Sequence, residues 1–297
     1  MLGYTAAFVY LLLLTAGIYL FAYASRRASA LYVTALEIAA GTVASTVIIL
    51  FTEKLGFLDL FTTPTAENWL WLGAAALTGY WGGNYFSNVN LCTGGERINS
   101  LLSPAITVLA VLAAAIVFME KMNWVKSFGI LLTIAAVVAF LIFRAPAEKT
   151  AVQPRPALWS GIAAILCITF SIFCNIKGTQ AQQISFTHSI WLRLLVALPF
   201  AIGLYLGMGK RPTITQPRSF YGAIAAGVLA QTILASYLWF YCTYAIGISV
   251  FQVIISTLPF LVYATDVYVF RKTKPSLYFI ATAALALVGV MIVIWVG

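Results

Sequence analysis

The stretch RAPAEKTAVQPRP, residues 144–156, is the longest clearly polar segment of a 297-residue chain and falls close to its midpoint. Its three prolines, Pro146, Pro154 and Pro156, stop helices, and its charges Arg144, Lys149 and Arg155 hold it in water. On both sides the sequence is dominated by apolar runs. The chain is 62% hydrophobic and 8% charged, with a mean hydropathy of +0.98. A soluble domain carries about 25% charged residues to cover its surface. That deficit excludes a cytosolic enzyme, a secreted module and a disordered chain.

The apolar runs place spans at 4–24, 31–51, 68–91, 98–119, 124–143, 157–177, 187–208, 219–244, 248–270 and 276–296. About 20 apolar residues are needed for a helix to cross a bilayer, and each run approaches or passes that length. The two-residue alternation of a barrel strand is absent, and in lipid a helix satisfies its own backbone. The expected fold is therefore all-α: a polytopic membrane protein of ten transmembrane helices. No cleavable signal precedes the first span.

The polar midpoint divides the chain into a first five-helix unit, 1–143, a linker, 144–156, and a second unit, 157–297. A shift of 152 residues brings Asn84 onto Ser236, Tyr85 onto Tyr237 and Val117-Phe118 onto Val269-Phe270. A shift of 156 brings Glu37 onto Arg193. An odd number of spans per half forces opposite orientations, the inverted repeat typical of secondary transporters.

Net charge is +9, yet the 17 Lys and Arg sit almost entirely in short gaps between spans, which points to headgroups and not to nucleic acid. Odd-numbered loops hold twelve of them (among them Arg26, Arg27, Arg97, Lys210, Arg211, Arg218, Arg271, Lys272 and Lys274), and even-numbered loops four: Lys54, Lys121, Lys126 and Lys177. The positive-inside rule then puts both termini outside. Cys92, Cys167, Cys174 and Cys242 all lie in apolar runs without CxxC or Cys/His spacing, and His188 stands alone, so no metal site or cofactor is expected.

Glu37 and Arg193 are the charges deepest within spans, where each costs roughly 2.5–3.5 kcal/mol on insertion scales. From their distance to the helix starts, they are separated by roughly 12 Å along the membrane normal. The expectation is that each faces a shared cavity, Arg193 toward an anionic group and Glu37 toward an ammonium group or a proton. The alternative is that each stabilises packing through nearby backbone and hydroxyls. Tyr80, Asn84 and Asn88 form a stripe at i, i+4, i+8, with Ser87 alongside; Tyr237, Tyr241 and Tyr244, beside Trp239, form an aromatic one. Such stripes suit either a solute cavity or helix packing and interfacial belts. Asn99 and Ser103 extend the polar wall, and Pro104 and Pro259 are candidate hinges. Asp266, close to Arg271, reads as an interfacial pair or a proton site, and His188 as an interfacial hydrogen-bonding group or a titrating one. Glu96-Arg97 and Glu120-Lys121 read as solvated turn charges.

The stretches Gly95-Glu96-Arg97-Ile98-Asn99-Ser100, Val117-Phe118-Met119-Glu120-Lys121-Met122-Asn123 and Phe128-Gly129-Ile130 resemble the latter part of an EamA-like domain. Leu238-Trp239-Phe240-Tyr241, Ala245-Ile246-Gly247, Pro259 and Arg271-Lys272 resemble its repetition. The resemblance, to the drug/metabolite transporter superfamily, covers nearly the whole chain. It implies ten helices in two inverted halves, a cavity lined by helices one to four and six to nine, and alternating access, often as export. Lys272 stands where that family commonly has Glu, and Glu37 where it often has a basic residue. The resemblance also implies both termini in the cytoplasm, against the loop charges.

The expected function is secondary transport of a small organic solute, an amino acid or related metabolite, in the inner membrane of a bacterium. A sugar, nucleotide sugar or lipophilic drug is the alternative within the fold, and a membrane-embedded enzyme or receptor the alternative outside it. The expected partners are the solute and lipid. With both repeats in one chain, a monomer can be complete.

Overall fold

The computed structural model describes residues 2–54, 56–100, 102–117, 119–120, 122–144, 154–181, 184–207, 216–272 and 277–296. Among them every regular element is helical. In chain order they are α1 (Leu2–Ser25), α2 (Ala30–Glu53), the one-turn α3 (Asp59–Thr62) and α4. The last joins Ala66–Ala75, a π-helical stretch Ala76–Gly83 and the first part of Asn84–Ser100. There follow α5 (Ile98–Ile116), α6 (Trp124–Arg144), α7 (Pro154–Ala181), α8 (Phe186–Gly207), α9 (Arg218–Ile246), α10 (Ile248–Val269) and α11 (Leu277–Val296). Eight of these are long and apolar enough to cross a membrane, and α6, at 21 residues, is an apolar helix too. Residues 145–153 of the linker, with Pro146 and Lys149, lie outside the described residues, as do Phe118, Lys121, Lys210, Arg211 and Lys274.

Local chemistry sets these helices. Ser29 caps α2, its Oγ accepting from Tyr32 N at 3.3 Å. Thr65 and Asn68 form a reciprocal capping box at the start of α4. Hydroxyls inside spans return to their own helix: Thr15 to Leu11 O at 2.8 Å, Thr42 to Ile38 O at 2.7 Å. Such back-bonding satisfies a hydroxyl in an apolar setting. Outward faces carry Trp124, Leu131, Leu158, Trp159, Leu277, Met291 and Trp295, all exposed, as lipid contact requires. α6 and α11 pack on each other at one side, around Phe140, Tyr263 and Phe279.

Backbone irregularities recur at the 152-residue interval. π-helical stretches lie at Ala76–Gly83 and Val228–Ala235, and a third, Thr265–Val269, has no counterpart at this interval. Gly95 has φ 79° and Gly247 φ 83°, a region that strains any side-chain-bearing residue. Met119 has φ 53° and Arg271 φ 52°. Each of these pairs is 152 positions apart, with Leu77/Leu229 and the glycines as the identities among them.

The charged turns are linked, not merely solvated. Past Gly247, Ser249 donates from N (3.2 Å) and Oγ (2.9 Å) to the Glu120 carboxylate, which also takes Lys126 Nζ at 2.7 Å. Past Gly95, Glu96 pairs with Arg26 at 2.6 Å and lies 3.9 Å from Lys272. Lys272 is 152 residues from Glu120 and also lies 3.3 Å from Asp266. The expectation that Glu96 and Glu120 are free turn charges is therefore corrected: each ties a glycine break to another helix.

Candidate functional site

A cavity of about 220 Å³ lies among α1, α2, α4, α5, α7, α8, α9 and α10; α6 and α11 contribute nothing to its lining. Arg193 is 7% exposed and Glu37 2% exposed, and both line it. Each sits seven residues into its helix, Glu37 from Ala30 and Arg193 from Phe186, roughly 10 Å at 1.5 Å per residue.

The two charges are held differently. Glu37 Oε1 accepts from Asn84 Nδ2 at 2.8 Å and from Thr232 Oγ1 at 3.0 Å, one donor from each half of the chain. The Arg193 guanidinium carbon lies 4.3 Å above the Tyr80 ring and 5.7 Å from that of Phe240. The ring faces supply cation–π attraction but take no hydrogen bonds. Arg193 Nε is buried without a partner, and no ion pair joins Arg193 to Glu37 or to any other carboxylate among the described residues.

The surroundings fix this geometry. The Tyr80 hydroxyl donates to Thr232 O at 3.3 Å and shares a 2.9 Å bond with Ser236 Oγ, which locks the ring beneath the guanidinium. Thr232 is the 152-residue counterpart of Tyr80, and Ser236 that of Asn84. At Gly79 a Cβ would fall 2.2 Å from Ser171 Oγ and 3.6 Å from Arg193 Nη2, so only glycine leaves room there.

Of the residues singled out from sequence, Arg193, Glu37, Tyr80, Asn84, Asn99, Ser103 and Trp239 line the cavity together. Asn88 does not: its Nδ2 donates to Thr34 Oγ1 at 2.9 Å and its Oδ1 accepts from Ser25. The tyrosine stripe lies off the lining too. Tyr237 and Tyr244 are 43% and 47% exposed and pack on Phe186, and Tyr241 joins the apolar core. These residues lie in regular α-helix, and the neighbouring helices decide their fate: Thr34 and Ser25 take up Asn88, and Phe186 takes Tyr237 and Tyr244.

Asp266 is buried, accepts from Tyr19 OH at 2.9 Å and pairs with Lys272 rather than Arg271. His188 is 1% exposed; Nε2 lies 2.9 Å from Leu60 O and Nδ1 3.7 Å from Glu53. Neither lines the cavity. Pro104 is buried within α5, and Pro259 opens the segment Leu258–Ala264 after α10 breaks at Thr257. Sequence reasoning missed Ser171, Asn175, Gln231, Thr232 and Gln252 in the lining. Isolated amides inside apolar runs are the signal that marks three of them.

No group of three metal-ligating side chains occurs among the described residues. No protein-family model matches the chain, and no curated protein sequence does. A solved structure described only as "Crystal structure of protein" is similar over 98% of this chain and 95% of its own, with a TM-score of 0.71 and 17% identity. At that identity the likeness establishes the fold alone.

Proposed function

We propose that the chain is a secondary transporter of the drug/metabolite transporter superfamily, EamA-like. It moves a small organic solute, an amino acid or related metabolite, across the membrane by alternating access. Export is the direction the resemblance implies. The observation that carries this reading is Arg193: a buried guanidinium facing a cavity, stacked on Tyr80 and without an acceptor. An uncompensated buried cation is costly, and a carboxylate bound bidentately is the partner its fork geometry fits. Glu37 in the same cavity supplies the opposite charge that a zwitterion needs, or a site for a coupling proton.

The architecture we propose is ten transmembrane helices in two inverted five-helix halves. Its support is the recurrence at 152 residues of the π-helical stretches, the positive-φ glycines and the positive-φ residues Met119 and Arg271. The lining also draws on the elements that the resemblance assigns to the cavity.

The alternatives fit less well. A cavity of about 220 Å³ lies below the roughly 300–1,000 Å³ of pockets for drug-sized ligands. A nucleotide sugar also needs more cationic groups than one arginine. The test is counterflow of radiolabelled amino acids in proteoliposomes. Uptake by the wild type that is lost in Arg193→Ala supports the assignment; transport unchanged in both Arg193→Ala and Glu37→Gln sinks it. Accessibility of a C-terminal tag decides whether the loop charges or the family resemblance gives the orientation.

A further inference from the structure

Buried polar atoms without partners are rare in folded proteins, because each forfeits the hydrogen bonds it made in water. Among the described residues nine side-chain atoms are of this kind, and four of them belong to the cavity lining: Arg193 Nε, Asn175 Oδ1, Gln231 Oε1 and Gln252 Oε1. This concentration is not explained by packing. Asn175 and Gln252 are 4% and 2% exposed, on different helices, α7 and α10. The nearest polar contact of the Asn175 amide is Ser171 Oγ, at a long 3.5 Å.

Glu37 meets part of the same need. Its Oε1 takes two protein donors, from Asn84 and Thr232, while its Oε2 takes none among the described residues. The other lining acceptors without a donor are the amides.

We propose that Asn175 and Gln252, with Gln231 beside them, form the part of the site that reads the hydrogen-bond donors of the solute, its ammonium or hydroxyl groups, while Arg193 holds its carboxylate. This deepens the transport reading and rests on it. The solute class becomes narrower: a carboxylate that also carries donors on its own small skeleton, an amino acid with its amino group free. A simple carboxylic acid of the same skeleton satisfies Arg193 and leaves the amides unmet. Glu37 supplies the opposite charge, and the amides supply further acceptors.

The test uses the full chain, purified and reconstituted, with Asn175→Leu and Gln252→Met, which keep approximate volume and remove the unmet polar groups. The first readout is the melting temperature without solute. Replacing an unpartnered buried amide by an apolar side chain leaves it unchanged or raises it. A fall of several degrees in both variants assigns the amides to packing and overturns the proposal. The second readout is competition in counterflow between each transported amino acid and its deaminated analogue. The wild type is expected to prefer the amino acid by about tenfold or more, the scale of one lost hydrogen bond to a charged group. Each variant is expected to lose most of that preference while still binding the carboxylate. Preference unchanged in both variants means that water alone satisfies the amides, and it overturns this assignment while leaving the transport reading intact. Absence of counterflow by the wild type with every amino acid overturns the transport reading and this assignment together.

Discussion

Glu37 and Arg193 occupy matching places in the two halves of the chain, and the contrast between them shows how one scaffold position serves two purposes. Both lie seven residues into their helices, both are buried, and both border the same cavity. Both also border the same counterparts: Glu37 receives Thr232 and Asn84, while Arg193 stacks on Tyr80, with Ser236 bonded to that ring's hydroxyl. The carboxylate, however, takes two protein donors on one oxygen, and the guanidinium finds no acceptor among the described residues. An ion held by its own protein is poised to hold or exchange a proton without leaving its place. An ion with open donors is poised to take a ligand.

The largest effect is expected at the unsatisfied member. Arg193→Ala should lower uptake by at least about a hundredfold, because it removes the bidentate donor. Arg193→Lys should recover little of it, since an ammonium cannot reproduce the planar fork. Uptake near wild type in Arg193→Lys would reduce the site to a point charge and blur the contrast. Next comes Glu37. Glu37→Gln keeps an acceptor for Asn84 and Thr232, so solute counterflow should stay within about threefold while uptake driven by a pH gradient collapses. Equal loss of both modes would make Glu37 a binding group like its counterpart.

A smaller contrast sits at the two glycine breaks. Glu120 ties Ser249 and Lys126 together, and Lys126 is buried. Glu120→Ala should therefore destabilise by on the order of 2 kcal/mol, read as a lower melting temperature in detergent. Lys272, at the equivalent position, is 44% exposed at its side chain and sits 3.3–3.9 Å from its carboxylate partners. Lys272→Ala should cost less than about 1 kcal/mol, the scale of exposed pairs. Equal shifts in the two variants would mean that the breaks carry equal weight in spite of their different chemistry.

Much of the candidate site could be read before any coordinates. Arg193, Glu37, Tyr80, Asn84, Asn99 and Ser103 stand out because polar groups in apolar runs must turn away from lipid. The rule says that such a group faces protein or water, but not which. Asn88 obeys it by bonding Thr34 and Ser25, so it drops out of the site without contradicting the reasoning that found it. Asn175 and Gln252 obey it too, but as single amides they form no stripe, and only the neighbouring helices show that their oxygens meet nothing.

The sequence by itself determined that the chain is built of membrane-length helices, because 62% apolar and 8% charged residues leave no other way to satisfy the backbone. It also carries scattered matches at an interval of 152. Only the tertiary structure decided which polar groups share one cavity, and that Glu37 takes two protein donors where Arg193 finds no acceptor among the described residues. The π-helical turns at Ala76–Gly83 and Val228–Ala235 rotate everything beyond them, and hydrogen bonds between helices far apart in sequence consume some donors and leave others free. Neither effect has a local signature, since each depends on what the next helix presents.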